Sequence, residues 1–152
     1  MTTYYRATAP ATTGVFTSLE PETATLDEAE PNWKKSMTDY NVMIVTLARA
    51  AGENANYTPG EDGVNPEQDL NQADPLGLSD TERAIIDEAV NAKKENNGKL
   101  IVMLNNASAM EIEEIKNNTG VDAILEVGLP GGYGFYGVAD VLSGEVNPSG
   151  YS

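Results

Sequence analysis

The residue best suited to acid–base chemistry is Glu53, which comes shortly after an apolar run at residues 41–48. Arg49 lies four positions before it and Asn54 directly follows it. A carboxyl group held at the end of a buried strand can act as a general acid or base when a neighbouring surface removes water from it. Glu53 is therefore a candidate catalytic residue, with Arg49 and Asn54 as candidate substrate contacts. The alternative is that Glu53 is one of several solvated acids in an acidic loop.

Further carboxylates follow in the same stretch, at Glu61, Asp62, Glu67 and Asp69. Their spacing does not follow the D-x-[DN]-x-[DN]-G pattern with a distal glutamate that binds calcium in EF-hand loops. We therefore predict a solvated loop without a metal, and the sequence gives no reason to expect a cofactor. Glu61 and Asp62 remain candidates for substrate contact or for the acid–base role.

The composition excludes several classes of chemistry. The chain has no cysteine and no histidine, so thiolate nucleophiles, Ser-His-Asp triads and histidine-ligated zinc are ruled out. Its 24 acidic and 9 basic residues give a formal charge of −15, which repels phosphate backbones and anionic lipid. The apolar runs are far shorter than the roughly 20 residues that span a bilayer. We predict no nucleic-acid partner and no membrane segment.

A glycine-rich turn at residues 128–134 follows an apolar run and precedes a helical pattern. Backbone amides in such a position can bind an anion. This turn, however, lacks a Gly-Lys-Ser/Thr ending, a complete G-x-G-x-x-G motif and a nearby lysine or arginine. We predict that its glycines serve close strand-to-helix packing and permissive dihedral angles.

Hydrophobic periodicity indicates strands that alternate with helices. The apolar, β-branched runs are typical of strands buried on both sides, and they lie at residues 41–48, 99–105 and 121–127. Helical spacing and capping residues predict helices at residues 31–40, from Ser79 to the Asn97-Gly98 stop, at 109–118 and at about 133–142. This alternation predicts a doubly wound α/β fold: an open, mostly parallel sheet with helices on both faces, forming a three-layer αβα sandwich. We expect residues 1–30 to be a partly ordered, extended lead-in and residues 31–152 to form the domain.

The segment between Ala48 and Leu78 interrupts this pattern. It is rich in Asn, Gly, Pro, Glu and Asp and nearly lacks large aliphatic residues. Loops of about 30 residues in compact domains are usually functional or disordered. This one leaves the carboxyl end of a strand, where open α/β sheets place their ligand sites. We therefore expect the functional site here.

Three segments resemble, in order, the C-terminal α/β sandwich domain of glycoside hydrolase family 3, of the β-glucosidase type. The first is an apolar strand followed by Arg and a Gly-Glu turn, VMIVTLAR and AGE at residues 42–53. The second joins an acidic helix start to a strand that ends in an Asn, small-residue, Met turn, LSDTERAII at 78–86 and LIVMLNNASAME at 100–111. The third and most specific is VDAIL at 121–125, GLPG at 128–131 and ADVLSGEVNPSG at 139–150. The resemblance covers about residues 31–150, and we expect the chain to be part of such a domain.

The resemblance implies a retaining β-glycosidase. In such enzymes an N-terminal (β/α)₈-type barrel supplies an aspartate nucleophile, and in many members the sandwich domain supplies the acid/base glutamate. Glu53 matches that glutamate, although Asn54-Ala55-Asn56-Tyr57 replaces the usual Gly-x-Asp continuation. The implied partners are the barrel domain of the same protein and a β-linked oligosaccharide or glycoside. Because no barrel motif occurs in this sequence, we expect the isolated chain to be inactive.

Two other readings compete with this one. The altered residues after Glu53 are compatible with a non-catalytic, carbohydrate-binding or structural α/β module. A flavodoxin-like or nucleotide-binding domain has the same element order, but the negative charge and the lack of a phosphate motif argue against it.

Overall fold

The computed structural model of the protein describes residues 37–48, 76–107, 109–148 and 150. Three strands and three helices alternate within these residues. In chain order they are β1 (Val42–Ala48), α1 (Asp80–Asn96), β2 (Lys99–Asn105), α2 (Glu113–Asn117), β3 (Ala123–Glu126) and α3 (Gly131–Ser143).

The strands form an open parallel sheet in the order β1-β2-β3. Val42 lies opposite Lys99 and Ala48 opposite Asn105, while Ile101 lies opposite Ala123. The α/β class and the parallel pairing of all three strands are therefore confirmed. Parallel neighbours need a crossover between them, and here each crossover contains a helix.

One face of this sheet carries the main core. The register places alternate side chains of β1 and β2 next to one another on that face, Met43 beside Leu100, Val45 beside Val102 and Leu47 beside Leu104, and all six are buried. α1 contributes Ile85, Ile86, Ala89, Val90 and Ala92 to the same cluster, and α2 contributes Ile115. Fully burying a side chain of this kind stabilises a fold by about 1.5–3 kcal/mol. On the other face, Ile44, Thr46 and Ile101 are partly buried and Met103 is buried.

The sequence signals at the ends of α1 act as predicted. Ser79 and Glu82 form a capping box, in which the Glu82 amide donates to Ser79 Oγ at 3.1 Å and the Ser79 amide donates to Glu82 Oε2 at 3.0 Å. At the other end Asn97 adopts the left-handed conformation at φ 52° and closes the helix. This helix is fixed at both ends by its own sequence.

Two predicted elements are longer than the observed ones. α2 begins at Glu113 rather than Ala109, because Met110 and Ile112 pack against the core and the Glu111 amide donates to Leu76 O at 2.9 Å. Similarly, β3 begins two residues after the predicted start at residue 121. α3 covers Gly131–Ser143 and so extends slightly beyond the predicted helix at about 133–142. The predicted lead-in at 1–30 and most of the predicted helix at 31–40 lie outside the described residues.

Candidate functional site

The carboxyl ends of the three strands meet at one edge of the sheet. Ala48 at the end of β1 is paired with Asn105 at the end of β2, and Glu126 at the end of β3 is paired with Leu104. The sheet continues briefly beyond β3, since the Val127 amide donates to Leu104 O at 2.9 Å. The segments that follow β1, β2 and β3 therefore all leave from this carboxyl edge, where α/β sheets bind their ligands.

All five predicted site residues belong to the segment that follows β1. Arg49, Glu53, Asn54, Glu61 and Asp62 lie outside the described residues, so their roles remain predictions. The structure establishes where this segment starts. Ala48 is partly buried at the carboxyl edge, in register with Asn105, and Glu53 follows it by five positions.

A polar residue that the sequence analysis did not single out also lies at this edge. Asn106 follows β2 directly and is only 3% exposed, and its Nδ2 atom has no hydrogen-bond partner in the structure. A buried amide donor left unpaired costs roughly 1–3 kcal/mol. The carboxyl edge thus holds a buried donor that an acceptor oxygen would satisfy. The sequence signals for this residue were the Asn105-Asn106 pair at the end of an apolar run and the Asn-containing turn in the motif at residues 100–111.

The glycine-rich turn connects β3 to α3 at the same edge. Gly128 and Gly131 have φ of 58° and 64°, a conformation that side chains other than glycine rarely adopt. The permissive dihedrals predicted for this turn are thus present. The predicted close packing is not observed at three of these glycines. A Cβ on Gly128 would be 4.0 Å from Asn106 O, and one on Gly131 or Gly132 would meet nothing within 4 Å. Only Gly134 is crowded, with Pro130 Cβ 2.7 Å away.

An arginine near the start of α1 is committed to structural contacts. Arg83 Nε and Nη2 donate to the two carboxylate oxygens of Glu114 on α2 at 2.7 and 3.0 Å, and Nη1 donates to Asp80 at 3.0 Å. The hydrogen bonds raise the pKa of Arg83 and lower the pKa of Glu114. Since both α1 and α2 start on the carboxyl side of the sheet, this guanidinium fixes the two helix starts to each other.

A second ionic cluster lies at the amino ends of the strands, opposite the carboxyl edge. Asp122, just before β3, binds Lys93 Nζ at 2.6 Å, Lys99 Nζ at 3.0 Å and the Leu100 amide at 2.8 Å. The hydrogen bond from Lys93 and those from Leu100 and Lys99 hold the pKa of Asp122 well below its ordinary value. This cluster joins α1, β2 and β3 at the end of the sheet far from the candidate site.

Within the residues described, no group of three or more acidic, histidine or cysteine side chains is arranged to hold a metal ion. Among the same residues no helix has the length and apolar character needed to cross a bilayer.

Comparison with known proteins identifies the family. The sequence profile of the glycosyl hydrolase family 3 C-terminal domain matches residues 3–151. The chain belongs to this family. The fold agrees, since beta-glucosidase 3B from Thermotoga neapolitana, solved with glycerol and with glucose, superposes with TM-scores of 0.57 and 0.56 at 28% identity. A further relative is beta-xylosidase/alpha-L-arabinofuranosidase 1 of Medicago sativa subsp. varia, which is 33% identical over 73 residues.

These relatives are much longer than the part that this chain matches. The aligned region is 77% of this chain and 14% of the Thermotoga enzyme, and 48% of this chain and 9% of the Medicago enzyme. The family profile extends across the whole segment that contains Glu53. Family 3 membership, expected from the motifs at residues 42–53, 78–111 and 121–150, is therefore confirmed.

Proposed function

We propose that this chain forms part of the C-terminal domain of a retaining β-glycosidase and supplies the rim of its active site, with Glu53 as the acid/base. The family match over residues 3–151 carries the proposal. Two structural features support it. β1 ends at Ala48 on the carboxyl edge of a parallel sheet, the edge at which α/β sheets commonly bind ligands, and the segment with Glu53 follows Ala48.

Each carboxyl group in a retaining hydrolase has its own role. A nucleophilic carboxylate attacks the anomeric carbon while the acid protonates the departing glycosidic oxygen, and the deprotonated acid then activates the water that releases the sugar. Glu53 is the proposed acid and base. Arg49 and Asn54 beside it are proposed to bind sugar hydroxyls, and Glu61 and Asp62 are the alternatives for each of these roles.

The nucleophile is proposed to come from a (β/α)₈ barrel domain of the same protein. In retaining enzymes the two carboxyl groups lie about 5–5.5 Å apart. The barrel must therefore cover the carboxyl edge of the sheet closely. Such contact would also remove water from Glu53, which favours the protonated form that an acid catalyst needs. A β-linked oligosaccharide or glycoside would bind between the two domains.

The test uses the enzyme that carries this chain together with its barrel. Glu53→Ala should slow hydrolysis of an unactivated β-linked disaccharide by about 10²–10⁴-fold, because a poor leaving group needs its oxygen protonated. An activated aryl glycoside should lose far less in the glycosylation step, and azide should restore part of its turnover. Glu67→Ala, in the same segment, is the matched control and should retain the parent's rate. An unchanged disaccharide rate in Glu53→Ala would show that Glu53 is not the acid/base, and Glu61 and Asp62 should then be replaced in turn.

A second measurement tests whether hydrolysis needs both domains. The isolated chain should not hydrolyse aryl β-glycosides above the rate in buffer, because the proposed nucleophile belongs to the barrel domain. Turnover by the purified chain that disappears in Glu53→Ala would contradict the proposed need for a barrel.

A further inference from the structure

The junction between α1 and β2 contains the only Asn-Gly pair of the sequence, Asn97-Gly98. In such a pair the backbone nitrogen of the glycine can attack the side-chain carboxamide carbon of the asparagine, because no side chain on the glycine shields it. The new C–N bond closes a succinimide ring, and the side-chain nitrogen leaves as ammonia. Water then opens the ring to an aspartate or to an isoaspartate, in which the main chain runs through the former side chain.

Access to the asparagine does not limit this reaction. Asn97 is exposed, since it lies just beyond the last turn of α1. Water can therefore reach its carboxamide and any ring that forms from it. Whether the pair reacts is decided by its backbone.

The backbone of the junction is set against ring closure. Asn97 has φ 52° and ψ 41°. The ring requires the Gly98 nitrogen to lie on the same side of the Cα–C bond as Asn97 Cβ, whereas at ψ 41° the two atoms lie on opposite sides of it. Gly98 is also buried, and its amide donates to Lys93 O at 3.0 Å. Because this hydrogen bond helps to close α1, the reaction requires the helix end to open.

Neighbouring residues hold the junction in this conformation. The Lys99 amide donates to Asn41 O at 2.8 Å, and Asn96 Nδ2 donates to Tyr40 O. A Cβ on Gly98 would be 2.6 Å from Asn96 Oδ1 and 2.8 Å from Asn41 O. The backbone is therefore closely packed at this point, and turning the peptide before Gly98 would disturb the contacts with the residues that precede β1.

The two products would fit this junction differently. Aspartate leaves the main chain unchanged and, like asparagine, tolerates the left-handed conformation. Its negative charge at the carboxyl end of α1 is unfavourable, but Lys93 and Lys94 lie in the last turn and offset it. Isoaspartate instead adds one carbon to the main chain directly before Gly98, where there is no room for an added carbon. Isoaspartate should therefore destabilise the fold more than aspartate does.

We propose that Asn97 is a deamidation site protected by the closed end of α1, and that isoaspartate formed there destabilises the junction between α1 and β2. In the folded chain, reaction proceeds only from molecules in which this helix end has opened. After isoaspartate has formed, the helix end no longer closes as before, so the modified chain unfolds more readily. The site needs neither Glu53 nor a barrel domain, so the proposal is independent of the proposed catalytic function.

Peptide mapping of the whole chain after incubation at mildly alkaline pH tests the site. Samples are kept folded in buffer or unfolded in urea and are then digested, and fragment masses locate the gain that accompanies exchange of a carboxamide for a carboxyl group. In the unfolded chain Asn97 should react before any other asparagine. In the folded chain it should react at least about tenfold more slowly, because the reactive state is rarely populated there. Asp62-Gly63 can also form isoaspartate, but without a change of mass, so it does not interfere.

Two variants assign the loss of stability to this residue. Asn97→Gly keeps a residue suited to the left-handed conformation and removes the reacting carboxamide, so its urea midpoint should not fall during incubation. Freshly prepared Asn97→Asp represents the aspartate product and should unfold close to the parent's midpoint. The incubated parent should contain a fraction that is enriched in isoaspartate at position 97 and unfolds at a lower urea concentration.

Three results would overturn the proposal. The first is equal reaction of Asn97 in the folded and the unfolded chain, which would show that the end of α1 gives no protection. The second is earlier reaction of another asparagine in the unfolded chain. The third is an equal loss of stability in the incubated parent and the incubated Asn97→Gly variant, because the damage would then lie elsewhere.

Discussion

At the scale of single residues, Asp122 links three elements through one carboxylate. Lys93 reaches it from α1, Lys99 and the Leu100 amide reach it from β2, and the Asp122 amide donates to Leu100 O at 2.9 Å. Lys93 also donates to Gly120 O at 2.8 Å. This arrangement fixes the start of β3 against β2, so the position of the glycine-rich turn after β3 depends on it.

Asp122→Asn should therefore lower the stability of the chain, and in a pH-dependent way. The pKa of Asp122 is depressed in the folded state, so its contribution is complete above the unfolded pKa of about 3.9 and is lost as pH falls toward the folded value. The urea midpoint of the variant should be lower than that of the parent near neutral pH, and the gap should narrow below about pH 4. Glu113→Gln, whose carboxylate is 78% exposed and 3.9 Å from Lys116, is the control with little effect. A gap that stays constant across this pH range would contradict the role assigned to Asp122.

The position of the carboxyl edge could be predicted from the sequence, whereas the burial of Asn106 and the ion pairs of Asp122 could not. The run of alternating strands and helices predicted the carboxyl edge, because the ends of parallel strands must coincide. The burial of Asn106 depends on how later segments pack around the end of β2, and no local pattern encodes that. The pairing of Asp122 with Lys93 is likewise set by tertiary structure, since the two residues are 29 positions apart.

At the scale of elements, local signals predicted the helices whose ends have capping residues. The ends of α1 follow from Ser79, Glu82 and Asn97, and Gly144 closes α3 at φ 81°. α2 has no side-chain cap at Ile112, so core packing decides where it starts, and the prediction there was four residues too long. Helix ends that are fixed by capping residues can thus be predicted from the sequence, whereas helix ends that are fixed by core packing cannot.

Alanine substitutions at Gly137 and Gly131 should change the stability of α3 in opposite directions. Gly137→Ala should stabilise the helix by about 0.5–1 kcal/mol, because a Cβ there meets nothing within 4 Å and alanine is the better helix former. Gly131→Ala should instead destabilise it by about 1–2 kcal/mol, since its φ is 64°. Amide exchange within α3 and urea unfolding would measure both effects. Equal responses at the two positions would show that backbone conformation does not control this helix.

At the scale of the whole molecule, the dominant feature is the unbalanced charge. The formal charge is −15, and the ion pairs at Arg83 and Asp122 offset it only locally. Like charges that are forced together in the folded state favour expansion of the chain. A domain of such charge would also repel anionic polymers from the proposed active-site rim.

Salt should consequently stabilise the isolated chain. Raising sodium chloride from about 0.01 M to about 1 M shortens the screening length from about 30 Å to about 3 Å, so repulsion among distant carboxylates is removed more completely than close ion pairs are weakened. The thermal midpoint should rise across this range. Glu95→Gln/Glu126→Gln, which removes two exposed acids on α1 and β3, should raise the thermal midpoint at low salt and reduce the further gain from salt.

Sucrose at matched concentrations should stabilise parent and variant equally, because excluded solutes act without regard to charge. A midpoint that falls as salt is added would mean that the ion pairs at Arg83 and Asp122 outweigh the overall repulsion, and Asp122→Asn should then abolish most of the fall.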